Sequence, residues 1–195
     1  MEARSNPDAE WLSAYTRILQ SSIAQTGRIL ELGCGTGRDT VHLVPLGYVI
    51  GIDRSESRLL QCRKNTPQAA LVCADLGQRL PIQSGAFSAV IASLCLHYFS
   101  WKASLGLAAE LRRVTGPGGL LIVRVNSTQD ANHGAVGHPE IEPNFYNVDG
   151  YPKRFFDRNS VLALFADWRI QALDERVIMR YEKPKWIWEL HAYAA

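Results

Sequence analysis

The chain has 195 residues, 47% of them apolar and 21% charged, and its 21 basic and 19 acidic side chains leave a net charge of +2. A chain of that length can bury roughly 70% of its unfolded surface in one domain without a disulfide or structural metal, which excludes a largely disordered protein. A charge balance so near zero gives no electrostatic case for a nucleic-acid or membrane partner.

From Ala9 to Gln25, the residues Trp11, Leu12, Tyr15, Ile18 and Leu19 recur at helical spacing and predict an amphipathic helix, ended by Gly27. The polar stretch Met1 to Asp8 before it has the features of neither a signal nor a transit peptide. Arg28 to Leu32 is a short apolar run, hence a buried strand. Arg38 to Leu46 predicts a helix with Gly47 as its stop, and Tyr48 to Asp53 a second strand. Ser55 can cap a helix running to Asn65 and closed by Thr66-Pro67. Ala69 to Ala74 and Phe87 to Ser93 read as strands three and four. Ser100 to Val114 is a helix stopped by Gly116-Pro-Gly-Gly119, and Leu120 to Val125 a fifth strand. Strands alternating with helices imply right-handed β-α-β units in a parallel sheet.

The rhythm then breaks. Asn126 to Asp157 is polar, rich in turn residues and without a clear period, and so predicts a long functional loop. A short helix at Asn159–Phe165 precedes two strands, Trp168–Met179 and Lys185–Tyr193, joined by Arg180 to Pro184. That hairpin is expected to close one edge of the sheet. Cys34, Cys62, Cys73 and Cys95 form no C-x-x-C pair, which points to reduced thiols in a cytoplasmic protein. No apolar run is long enough for a membrane-spanning helix.

Four ordered motifs carry the chemistry. The first is Glu31-Leu-Gly33-Cys-Gly35-Thr-Gly37, between the first strand and its helix. Glycines there allow a tight turn and close approach of a ligand to backbone. A dinucleotide fingerprint requires G-x-G-x-x-G, and here Arg38 takes the place of its third glycine, which weakens a nicotinamide reading. The second is Asp53, ending the second strand, where a carboxylate can accept both hydroxyls of a ribose, with Arg54 beside it to flank an adenine. The third is Asp75, past the third strand, able to accept from an exocyclic amine. The fourth is Arg113-Val-Thr-Gly-Pro-Gly-Gly119.

Together these motifs, over residues 28–125, resemble the class I S-adenosylmethionine-dependent methyltransferases. The resemblance implies an α/β, Rossmann-like, seven-stranded and mostly parallel sheet with an antiparallel C-terminal hairpin strand and helices on both faces. It implies that Glu31, Gly33, Gly35 and Gly37 surround the methionine part of the cofactor. Asp53 would hold the ribose, Asp75 and the backbone of Leu76 the adenine, and Ser93 would lie near the sulfonium. S-adenosyl-L-homocysteine would be the product. Ser88, where the family often has Asp, and Gly-Pro-Gly-Gly for the commoner Lys-Pro-Gly-Gly are departures at positions not expected to touch the cofactor. A narrower likeness is to small bacterial methyltransferases related to the tellurite-resistance enzyme.

Methyl transfer from a sulfonium is an in-line displacement, so the protein aligns the partners and excludes water. A general base is needed only for an acceptor that must lose a proton. His97 and Tyr98 follow the fourth strand and are candidates for base, orienting donor or pocket lining, against local packing. Arg124 interrupts an otherwise apolar strand and must meet either an internal carboxylate or an anionic acceptor, with Asn126 nearby. Trp11 and Tyr15 either face the sulfonium or acceptor, or pack. His133, His138, Glu140 and Glu142 lack metal-ligand spacing, so no metal is expected. Lys153-Arg154 is either an anion clamp or a solvated edge.

The sequence thus reads as one domain over 1–195, with a helical cap at 1–27 and an acceptor lid at 126–157. Its expected activity is methyl transfer to a small-molecule oxygen, nitrogen, sulfur or chalcogen nucleophile, by a monomer or homodimer without a nucleic-acid or membrane partner. A nucleic-acid methyltransferase is disfavoured: Ser93-Leu-Cys-Leu-His97 is no Asn/Asp-Pro-Pro-Tyr/Phe run, and no Pro-Cys pair occurs. The alternatives kept open are a protein or RNA methyltransferase and a non-catalytic cofactor-binding module.

Overall fold

Near-continuous apolar strands demand cover on both faces, and the sheet supplies it by sending alternate side chains to opposite sides. The computed structural model describes residues 11–23, 27–180 and 183–195. Strands β1 (Arg28–Leu32), β2 (Tyr48–Asp53), β3 (Ala70–Cys73), β4 (Phe87–Ser93) and β5 (Thr115–Asn126) are parallel. With β9 (Trp168–Arg180) and β10 (Lys183–Ala194) they form one seven-stranded sheet in the order β3-β2-β1-β4-β5-β10-β9. β10 is antiparallel to both of its neighbours. The hairpin closes the sheet edge as expected, with β9 outermost.

On β5, Leu120 and Ile122 join the core under α1 (Thr16–Ile23), while Leu121, Val123 and Val125 join the larger core. That larger core also takes residues of α4 (Trp101–Val114) and α5 (Arg158–Leu164). The helix starts follow local chemistry. Ser55 accepts from Arg58 N at 3.4 Å to open α3 (Glu56–Asn65), and Ser100 accepts from Ala103 N at 3.3 Å to open α4. Asp157 and Ser160 form a reciprocal capping box for α5.

Some boundaries move. The N-terminal helix begins as a 3₁₀ turn over Trp11–Tyr15; residues 9–10 and 24–25 of the expected helix lie outside the described residues, as do 1–8 and 181–182. The helix expected over Arg38–Leu46 shrinks to α2 (Thr40–Leu43). β5 runs back through Gly116-Pro-Gly-Gly119, with a register shift opposite β4 between Phe87 and Ala89.

The largest correction concerns 126–157. It is not an aperiodic loop but a 3₁₀ turn (Ala131–His133) followed by a second sheet of β6 (Glu140–Glu142), β7 (Phe145–Val148) and β8 (Tyr151–Arg154). Strands of three or four residues are too short to display a period of two. Their turns carry Asn144 at φ 58° and Asp149 at φ 52°, a conformation that Asn and Asp tolerate. Both expectations for the basic pair also fall. Arg154 is buried, donates to the carbonyls of Phe99 (3.1 Å) and Pro143 (3.2 Å), and pairs with Glu142. Glu142 also accepts from the first amide of α4, Trp101 N, at 2.5 Å. Lys153 donates to the His133 carbonyl. The pair therefore pins the small sheet to the main body.

Candidate active site

The strand order reverses between β1 and β4, and in open α/β sheets ligands bind outside the carboxyl ends of strands at such a switch point. A cavity of about 800 Å³ opens there.

The glycine loop forms its floor. Gly33 and Gly35 have φ of +67° and +55°, the left-handed region that favours glycine. A side chain on Gly33 would put Cβ 2.5 Å from Cys95 Cβ, whereas Gly35 faces open space, its nearest neighbour 3.9 Å away. Asp53 holds this loop: its Oδ2 accepts from Gly35 N at 3.0 Å and its Oδ1 from Ser55 N at 2.9 Å. Each oxygen keeps a second lone-pair direction for a ligand. Glu31 is buried beneath the loop and accepts from Thr40 Oγ1 at 2.6 Å. Burial pushes its carboxyl up to about 8, against the opposing hydrogen bond from Thr40. Asp75 accepts from Gly77 N at 2.9 Å in a local turn and remains exposed to the cavity.

Of the residues expected to meet the cofactor, Glu31, Gly33, Gly35, Asp53, Arg54, Asp75, Leu76 and Ser93 line this cavity. Gly37 and Tyr15 are not among its lining residues, and each for a clear reason. A Cβ on Gly37 would lie 2.8 Å from Cys62 Sγ, so this glycine serves the packing of the loop against α3. Tyr15 turns toward β10, where its buried hydroxyl donates to Glu189 Oε1 at 2.9 Å. Desolvation there raises its pKa further above the phenol range.

Of the acceptor candidates, Tyr98 and Arg124 line the cavity and His97 does not. His97 and Tyr98 are consecutive in a 3₁₀ turn, Leu96–Tyr98, which sends successive side chains about a third of a turn apart. The imidazole is buried against the Tyr98 ring at 4.2 Å, while Tyr98 is exposed. Arg124 is paired across the sheet with Ser93 on β4 and Glu189 on β10.

The sequence reading missed Leu94 and Phe99 as lining residues, and placed Tyr151 no more closely than within the expected lid. Leu94 sits at φ 52° directly after β4, a strained conformation for a branched side chain that no local signal announces. Tyr151 arrives from the small sheet. Among the described residues no three His, Cys, Asp or Glu side chains stand close enough to hold a metal ion.

The donor set fits a nucleoside-linked, cationic ligand. Three carboxylates, Glu31, Asp53 and Asp75, stand at or just past the ends of three adjacent strands, over a loop with room beside Gly35. Acceptors in that row suit an ammonium group, a ribose diol and an exocyclic amine.

Comparison with known proteins agrees. A family described as "Methyltransferase domain" matches residues 29–119. The chain is 38% identical over 102 residues to the malonyl-[acyl-carrier protein] O-methyltransferase of Legionella pneumophila, a match covering 49% of this chain and 34% of that protein. It is 35% identical over 105 residues to a trans-aconitate 2-methyltransferase of Acidovorax, covering 52% and 39% respectively. The chain thus matches less than half of the length of either relative. The fold superimposes on an N-methyltransferase of Bradyrhizobium japonicum in complex with S-adenosyl-L-homocysteine, with a TM-score of 0.72 at 14% identity, covering 97% of this chain and 89% of that one. Residues 29–119 thus match a methyltransferase-domain family, and the whole described fold is that of solved S-adenosylmethionine-dependent methyltransferases.

Proposed function

We propose that the chain is a class I S-adenosylmethionine-dependent methyltransferase that binds S-adenosyl-L-methionine in the 800 Å³ cavity and transfers its methyl group to a small-molecule acceptor. The observation that carries the reading is the row Glu31–Asp53–Asp75 over the glycine loop, at the switch point of the sheet. When bound, the cofactor supplies a methyl group on a neutral, good leaving group and leaves as S-adenosyl-L-homocysteine.

The chain's own residues bind and orient. Asp53 takes the ribose hydroxyls with the lone pairs left by Gly35 N and Ser55 N. Asp75 and the Leu76 backbone take the adenine, and Glu31 with Gly33 and Gly35 takes the methionine portion. Ser93, Tyr98 and Arg124 form the acceptor side. Tyr151, and through it the small sheet, covers the opening and excludes water. Among the described residues, no histidine or lysine lines the cavity. This favours an acceptor that arrives already ionised, a carboxylate, thiolate or chalcogen oxyanion, over one that needs a general base. Two of the relatives are named for malonyl-[acyl-carrier protein] and trans-aconitate. We assign the whole of 1–195 to one such domain acting in the cytoplasm, with 126–157 as its cover.

The test is formation of S-adenosyl-L-homocysteine, followed by mass spectrometry, with carboxylic acids, phenols, amines, thiols, selenite and tellurite as acceptors. Product with one class supports the reading and names the nucleophile. Failure of the chain to bind either S-adenosyl-L-methionine or S-adenosyl-L-homocysteine in calorimetry would sink it.

A further inference from the structure

Strand β9 is the outer edge of the main sheet, and among the described residues only β10 pairs with it. We infer that this edge is the interface of a symmetric homodimer, in which β9 of a second copy adds antiparallel to it and joins the two sheets into one. The inference stands apart from the methyl-transfer reading, since no group of the main cavity takes part.

Three observations carry it. The first is what the edge lacks. A long sheet edge is a template for another strand, and proline, lysine or a bulge is the usual protection. Trp168–Arg180 contains neither proline nor lysine. Its one register shift leaves Gln171 without a partner on β10, and from 172 to 180 the pairing with β10 is unbroken.

The second is self-complementarity. A two-fold axis normal to a sheet keeps each face on its own side, so an antiparallel strand can meet its copy only about a residue and not between two. About Glu175, Asp174 of each copy faces Arg176 of the other, Leu173 faces Val177, and Ala172 faces Ile178. Opposite charges and apolar pairs across strands are the stabilising unit of a sheet, and the symmetry doubles each of them. Moving the axis to Asp174 or Arg176 sets Leu173 or Val177 against Glu175 and leaves the opposite charges unmatched. Only the axial Glu175 pair is alike, and each Glu175 accepts from the Ser127 hydroxyl of its own chain. The facing charges are half-exposed. Arg176 gives Nε to Glu189 at 3.0 Å and one terminal nitrogen to Asp174 at 3.3 Å, which leaves it further N–H donors.

The third is the apolar surface at the same place. Val177 and Met179 are about half exposed, and Trp186, opposite Val177 on β10, is 37% exposed. In the register about Glu175, Leu173 of the second copy covers Val177. The eight residues 172–179 make a small interface, so a Kd on the order of 10 μM is expected.

The experiment is sedimentation equilibrium of the full chain, from about 5 to 200 μM, spanning that affinity. A monomer–dimer equilibrium is expected, with slower amide exchange over 172–178 at the higher concentrations. Val177→Lys sets a charge against Leu173 twice and should leave a monomer throughout. Asp174→Arg opposes arginine to Arg176 twice and should weaken the dimer about tenfold or more. The exchange Asp174→Arg with Arg176→Asp should restore it, and it also brings an arginine opposite Glu189 within the chain. Thermal melts check that each variant is folded. A wild-type chain that stays monomeric, a dimer that survives Val177→Lys, a dimer unmoved by Asp174→Arg, or a folded double variant that fails to dimerise each overturns the inference.

Discussion

The two rims of the main cavity are built in opposite ways. Along the carboxyl ends of β1, β2 and β3, each ligand-facing group lies within a few residues of its strand, and backbone hydrogen bonds fix it. Asp53 bonds Gly35 N and Ser55 N; Asp75 bonds Gly77 N. The opposite rim draws Tyr98 and Phe99 from beyond β4, Arg124 from β5, and Tyr151 from a separate sheet. Its parts meet through contacts between residues distant in sequence, such as Leu94 N on the Arg124 carbonyl, Arg154 on the Phe99 carbonyl and Trp11 over Arg124. The first rim is a local structure with one solution. The second is a tertiary assembly, and there substrate choice can change without disturbing the cofactor.

If that contrast is right, the most damaging change should be the smallest, on the local rim. Gly33→Ala places a methyl 2.5 Å from Cys95 Cβ at a positive φ. Overpacking and left-handed strain together should cost about 3–5 kcal/mol, read as a lowered urea midpoint. Gly35→Ala, with open space around it, should cost only the backbone strain, about 1–2 kcal/mol. Equal losses at the two glycines would mean that the loop is not held by this packing. Asp53→Ala comes next. It removes a charged acceptor from two backbone amides and from the ribose, so S-adenosyl-L-homocysteine affinity should fall about 100-fold in calorimetry, about 2.7 kcal/mol. Unchanged affinity would take Asp53 out of the site.

The same contrast decides what the amino-acid sequence revealed. Glu31, Gly33, Gly35, Asp53 and Asp75 were legible as lining residues because each lies at or just past the end of its own strand, within a few residues of it. The seven-stranded, mostly parallel sheet with its antiparallel C-terminal hairpin followed from the alternation of strands and helices and from the family resemblance. His97 and Tyr98 could not be told apart, because which of two neighbours turns inward depends on a 3₁₀ turn that the sequence does not announce. The small sheet was invisible because its strands span at most two periods. Arg124 was recognised as anomalous from its apolar neighbours, yet its partners Glu189 and Trp11 lie 65 and 113 residues away, beyond the reach of any local pattern.

On the tertiary rim a weaker and separable effect is expected. Arg154→Leu removes the donor to the Phe99 and Pro143 carbonyls and strands Glu142, itself a third exposed. The small sheet should loosen by about 2 kcal/mol, seen as faster amide exchange in 140–154 with β1–β3 unaffected. Global loss of protection would show that the two rims are one cooperative unit.

The subtlest test concerns Glu31, which belongs to the local rim yet is tuned by burial. Its carboxyl, raised from an ordinary 4.5 to about 8, is protonated at neutral pH in the unliganded protein. A folded value above the unfolded one means that this group's contribution to stability is complete below about pH 4.5 and is lost as pH rises through 8. A ligand ammonium group beside it favours the carboxylate, so binding at pH 7 should release a proton. Affinity for S-adenosyl-L-homocysteine should rise with pH, by at most about tenfold per unit, and level off near 8. Glu31→Gln keeps a partner for Thr40 and cannot ionise. It should bind about as well as the wild type at pH 6, and about tenfold more weakly at pH 8. Calorimetry in two buffers of different ionisation enthalpy counts the proton directly. A wild-type chain that releases none places the ammonium group away from Glu31, and leaves that carboxyl the task of holding Thr40 beneath the loop.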